Sequence, residues 1–269
     1  MQNVLLFFVR FGAFISFIFL QLICFLLIVN FNKGHKEIFL HSSSFYSNII
    51  DGRFNQWTSY ISLQETNDSL SNHNAHLMEL FINTKDVVTT IDNDSLQYKL
   101  ISARIVKNTF QLHNNHISLD KGKIDGIKKD MGVISEVGLL GIVKNVSDHY
   151  THAVSILNSQ TKISCTVRPF AYPGSLSWQN SGARHMVLSA IPKHVKISIG
   201  DTVVTNGYST IFPKDLIVGT IETFSINKGS SDYKIIVKLI NDVQNSKVGY
   251  VINNRLAKEQ KMIENLENE

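Results

Sequence analysis

Only four prolines occur in 269 residues, and the first of them is Pro169. Glycine is absent from residues 53–121. A stretch without either helix breaker can sustain long helix. Cysteine is nearly missing too. Cys24 sits in an apolar run and Cys165 is the only thiol after it. No disulfide within a folded domain is available, so any fold rests on its core. Charge is sparse, at 18% of residues with a net +4. That low net charge, with 43% apolar content, excludes a wholly disordered chain. The mean hydropathy of +0.01 and the lack of several long apolar runs exclude a multi-pass membrane protein. The basic excess is spread thinly and points to no nucleic-acid partner.

One apolar run is present. Residues 11–31 carry no charge, and as a helix at ~1.5 Å per residue they reach roughly 31 Å, the thickness of a bilayer core. The run exceeds the apolar part of a signal peptide, and no small-residue cleavage site follows it. The expectation is a retained transmembrane helix over residues 11–31, with residues 1–10 as a cytoplasmic tail. Arg10 on one flank and Lys33 and Lys36 on the other leave the orientation open by charge alone. A short tail more commonly stays inside, and without a second span everything from residue 32 onward lies on one side.

Texture changes along the rest of the chain. All four prolines and twelve of the fifteen glycines fall in residues 122–249. The region before reads as helix to about residue 85, and a heptad runs through it. Leu63, Leu70 and Leu77 occupy d, while Tyr60, Asn67, Asn74 and Phe81 occupy a. Leucine at d with asparagine at a is the pattern of a parallel two-stranded coiled coil, the buried asparagine fixing register. A coiled-coil helix over residues 44–84 that pairs two copies is therefore expected. Arg53 and Gln56 thin its core, and the competing reading is a single amphipathic helix packed on its own domain.

Residues 86–94 read as a linker. Strand patterns follow at residues 98–107, then a hairpin over 132–146, then 187–191, 201–205, 216–224 and 234–240. No long amphipathic helix interrupts them, which argues against a doubly wound sheet. The fold class expected is mostly β. After the anchor and the coiled-coil helix come two small antiparallel β-barrels, over residues 98–158 and 159–252. Whether the last strands return to the first barrel stays open, and residues 253–269 form a polar tail.

Chemistry finds little support. Three His-x-x-His pairs occur (His73/His76, His113/His116 and His149/His152), but a metal site needs three or four ligands, and the one carboxylate close to a pair, Glu79 beside His76, falls on a solvated stalk. They read as exposed polar residues, and no metal or cofactor is expected. Two small barrels also suit a chymotrypsin-like protease. Yet Gly200-Asp201-Thr202-Val203 lacks the nucleophile turn, and Asp148 and His152 have no serine partner in a glycine-rich turn. Cys165 alternates with Ile163 and Val167 and reads as core. No dinucleotide or P-loop glycine motif is present. Lys121, Lys123, Lys128 and Lys129 are interleaved with Asp120, Asp125 and Asp130, a solvated turn region rather than a phosphate stripe. The chain reads as a tethered binding module, not an enzyme.

Two motif groups carry a family resemblance. The first runs Ile117-Ser-Leu-Asp-Lys-Gly122, then Gly126-Ile-Lys-Lys-Asp-Met-Gly-Val-Ile134, then Gly138-Leu-Leu-Gly141-Ile-Val143. The second is Ile199-Gly200-Asp201-Thr-Val-Val-Thr-Asn-Gly207, followed by Ile211-Phe212-Pro213-Lys-Asp-Leu-Ile-Val-Gly219-Thr-Ile221. Gly174-Ser-Leu-Ser-Trp178 lies between them. In this order the pieces resemble MreC, the rod shape-determining family of bacteria. Asn206 and Asp215 depart from the usual Ser and Gly. Physically these residues make turns and rigid corners around strands, so they hold the fold more than they mark a contact surface.

What the resemblance implies is a single-pass inner-membrane protein with its bulk in the periplasm. It would be a scaffold of the wall-elongation complex, maintaining rod shape by binding and regulating peptidoglycan synthesis. Its partners would be a second copy through the coiled coil, the elongation-specific penicillin-binding transpeptidase, MreD, RodA and MreB. The contact surface would be an exposed strand edge or an apolar barrel face. The alternative is a periplasmic adaptor of an export system, which usually carries a returning helical hairpin.

Overall fold

A computed structural model describes residues 2–31, 62–83, 96–170, 172–226, 229 and 231–266. By contacts the chain divides into Met1–Asn67 and Asp68–Glu269. Helix α1 spans Gln2–Phe31, and its side chains are described over residues 11–27. Among the described residues no helix is long and apolar enough to cross a membrane. Helix α2 covers residues 62–83. The remainder of the expected coiled-coil helix, Tyr60 included, and the linker at 86–94 lie outside the described residues.

The larger unit is built of two closed antiparallel barrels of six strands each. The first contains β1 (Tyr98–Asn108), β2 (Asn114–Leu119), β3 (Gly132–Ile134), β4 (Leu139–Val146), β5 (Thr151–Asn158) and β12 (Val248–Asn254). The second contains β6 (Lys162–Val167), β7 (Pro173–Ser177), β8 (His185–Pro192), β9 (Thr202–Thr205), β10 (Ile217–Ile226) and β11 (Asp232–Leu239). The return left open in the sequence is made by β12, which lies between β1 and β3 with Leu100 opposite Ile252 and Val133 opposite Val251. The second barrel is thus an insertion within the first. Helix α3 (Ala257–Leu266) follows β12, and its Lys261 reaches Asp130 at 3.5 Å.

Period-two alternation explains the closure. In β6, Ile163, Cys165 and Val167 are buried while their neighbours are not. The same alternation turns Ile117 and Leu119 of β2 and Ala153 of β5 inward. In β11, Ile235 and Val237 point into the second barrel in the same way. Cys165 is fully buried, and desolvation pushes its thiol up to about 12. Each fully buried aliphatic side chain contributes about 1.5–3 kcal/mol, so two such cores hold without disulfides. Closure gives every barrel strand a partner on each side, and the stretch of β1 that β2 does not reach is met by side chains of α2.

The barrels meet through close approaches. Gly132 of β3 lies against Ile211 and Phe212, and Gly138 against Ile240 and Asn241. The buried Asn241 amide donates to the Leu139 carbonyl at 2.9 Å. Asn108 donates to the Val243 carbonyl at 2.6 Å, and Asn254 to that of Thr210 at 3.3 Å. Asparagine side chains thus cap backbone groups that neither barrel satisfies by itself.

Candidate interaction surface

Helix α2 has two working faces. Ser71, Ala75 and Ile82 are buried, and Met78 packs with them against the barrel core. Their spacing of three and four residues marks one helix face. Small side chains at 71 and 75 let the helix lie close to β1. Ser71 and Ser102 share a hydrogen bond between their hydroxyls. The Leu100 N–H donates to Glu79 Oε2 at 3.2 Å, and Asn83 both accepts from the Tyr98 N–H and donates to its carbonyl. Tyr250 is wholly buried, and burial is the main cause raising its phenol above the usual range.

The expected heptad lies on the neighbouring face. Leu63, Leu70, Leu77 and Phe81 are exposed at 65%, 59%, 52% and 65%. Asn67 is exposed, while Asn74 is half-buried and donates to Glu136 of its own barrel at 3.4 Å. Leu63, Leu70 and Leu77 thus form an exposed apolar stripe along α2.

That stripe runs into a groove. A mostly apolar cleft of about 550 Å³ opens where the end of α2, the β3–β4 turn and the second barrel converge. Leu77 and Phe81 form one wall, Val137 the turn, and Ile217 and Ile240 the opposite wall. Val137 is exposed at 53%, Ile217 at 42% and Ile240 at 51%. Arg168 and Asp215, paired at 2.7 Å, supply charge among its lining residues. A contiguous apolar patch with a charged pair beside it is the anatomy of a protein contact.

The family-motif residues are elsewhere and act locally. Gly122, Gly141 and Gly219 sit where a Cβ would press into a neighbouring carbonyl oxygen. Gly126, Gly200 and Gly207 hold positive φ in turns. Asp201 accepts the Ser198 N–H at 2.7 Å, ahead of β9. Phe212 is buried at the junction of the barrels, and the Pro213 carbonyl accepts the Thr205 hydroxyl. None of these positions lines the apolar groove.

The groove itself escaped the sequence reading. Its walls come from segments about 160 residues apart at the extremes, and each contributes a few apolar residues at a helix end, turn or strand end. A lone valine in Glu136-Val137-Gly138 gives no signal of its own. The histidines also assort differently from their spacing. The rings of His116 and His152, one from each of two separate pairs, lie 4.9 Å apart between centroids. Among the described residues no group of three or more His, Cys, Asp or Glu gathers as a metal cluster.

A family model for the barrel core of the rod shape-determining protein MreC matches residues 105–253. The chain belongs to the MreC family. The cell shape-determining protein MreC of Listeria monocytogenes is 27% identical over 202 residues, 72% of this chain and 68% of that protein. MreC of Haemophilus influenzae is 28% identical over 145 residues, 53% of this chain and 39% of that protein. Among solved structures, MreC from Listeria aligns with a TM-score of 0.54 at 20% identity, over 83% of this chain and 95% of that one. MreC from Pseudomonas aeruginosa aligns with 0.54 at 17% identity, over 58% and 99%. These structural likenesses concern the fold. MreC membership makes the chain a structural, shape-determining protein and not an enzyme.

Proposed function

We propose that the chain is a membrane-anchored scaffold of the cell-wall elongation machinery, with its barrels in the periplasm. It binds the elongation-specific penicillin-binding transpeptidase through the groove between the barrels, and works beside MreD, RodA and MreB. The uncharged run at residues 11–31 supports the anchor. The exposed stripe of Leu63, Leu70 and Leu77 supports pairing of two copies along α2.

The observation that carries the contact is the groove. Its exposed aliphatic side chains offer apolar burial, and the Arg168–Asp215 pair beside them offers charge for orientation. The test is photo-crosslinking in living cells from positions 137, 217 and 240. Recovery of the transpeptidase from these positions, and not from exposed Tyr150, is the expected result. Crosslinks to the transpeptidase from Tyr150 with none from the groove would overturn the assignment.

A further inference from the structure

The sequence offers three His-x-x-His pairs, and the barrel rearranges two of them. Strands β2 and β5 pair antiparallel, with His116 opposite Val154 and Ser118 opposite His152. The two histidines are therefore diagonal neighbours. Alternation puts both on the outer face, since Ile117 and Ala153 beside them point inward. They line a polar cleft of about 560 Å³ together with Asn114, Asp130 and Lys144.

We propose that His116 and His152 form a two-imidazole site for a divalent transition ion of the Zn²⁺, Ni²⁺ or Cu²⁺ class. The spacing fits. Two imidazoles bonded at about 2 Å to one tetrahedral ion have ring centroids about 5 Å apart, against the 4.9 Å seen here. The tautomer fits as well. His116 Nδ1 lies 3.4 Å from the Thr109 hydroxyl, which itself accepts the His116 backbone N–H at 2.8 Å. That hydroxyl can accept a hydrogen bond from Nδ1–H and leave the Nε2 lone pair for an ion, the usual outer-shell arrangement of a metal-bound histidine. The His152 ring makes no hydrogen bond among the described residues.

Burial, followed by His116 and then Lys107, holds the His152 ring below its ordinary range, which favours the neutral imidazole and its one free nitrogen lone pair. Lys107 opposes a cation, but its repulsion is screened by solvent and weak beside two coordinate bonds. With two protein ligands the coordination shell stays open toward the cleft. Water, or a carboxylate or imidazole from a neighbouring protein, completes it.

The experiment is calorimetric titration of the purified full-length chain in detergent with zinc chloride alone. Wild type is compared with His116→Asn, His152→Asn and the control His149→Asn. Loss of one saturable site, or weakening of about tenfold or more, is expected in both of the first two and not in the control. His116 is tied to Thr109, and if its variant unfolds then His152→Asn decides, since that ring holds nothing else. No saturable zinc binding in wild type, unchanged binding in His152→Asn, or an equal loss in His149→Asn would each overturn the site.

Discussion

Gly132 lies so close to Phe212 that a Cβ on the glycine would stand 2.8 Å from the ring, and 2.5 Å from the Ile211 carbonyl oxygen. One barrel is seated on the other through a missing side chain. Gly132→Ala should push β3 off Phe212 and lower stability by about 1–3 kcal/mol, the cost of overpacking. A fall of several degrees in the thermal midpoint is expected, and an unchanged midpoint would show that the junction relaxes freely.

The α2 stripe separates pairing from folding. Leu70 and Leu77 are more than half exposed in the single chain. Changing both to Ser should leave the melting of the barrels within about 0.5 kcal/mol, as exposed positions do. The same change should abolish dimers of the detergent-solubilised chain in sedimentation. Dimers that persist would place the pairing on another surface.

Acid should act on the turn before β3. Asp125 accepts the Gly122 N–H at 2.9 Å and the Lys121 ammonium at 3.0 Å, and these bonds hold its carboxyl below the usual range. A depressed carboxylate contributes stability above its unfolded value of about 4, and that contribution fades as pH falls through the folded value. Asp125→Ala should cost on the order of 1 kcal/mol at pH 7. The gap from wild type should narrow below pH of about 4, which midpoints measured from pH 3 to 7 would show.

Cys165 should be inert in the native state. Its thiol sits wholly inside the second barrel and stays protonated to about 12. In a Cys24→Ser background, iodoacetamide at pH 8 should label the chain only after denaturation. Rapid native labelling would mean that the second barrel opens readily.

Much of the barrel architecture is legible in the sequence because inward positions alternate over short runs, as at Ile163, Cys165 and Val167. The β12 return is less so. Val248–Asn254 reads as a strand, but nothing local says that Ile252 pairs with Leu100 rather than with a strand of the nearer barrel. The leucine stripe of α2 was visible from its heptad. The docking face was not, since Ser71 and Ala75 are small and gain meaning only from lying against β1. The histidines show the same limit. Spacing along the chain grouped them by segment, whereas the β2–β5 register decides which rings meet.

The insertion of one barrel inside the other sets an order of events for a chain that emerges from its N-terminus. Strands β6–β11 are consecutive, so the second barrel has every part it needs once Leu239 has appeared. The first barrel waits for Val248–Asn254, holding a gap between β1 and β3 until the last strand arrives. Premature termination a few residues after Leu239 would therefore spare the second barrel and ruin the one that began earlier. Such a product would display just the unfilled seam that aggregation and proteolysis exploit.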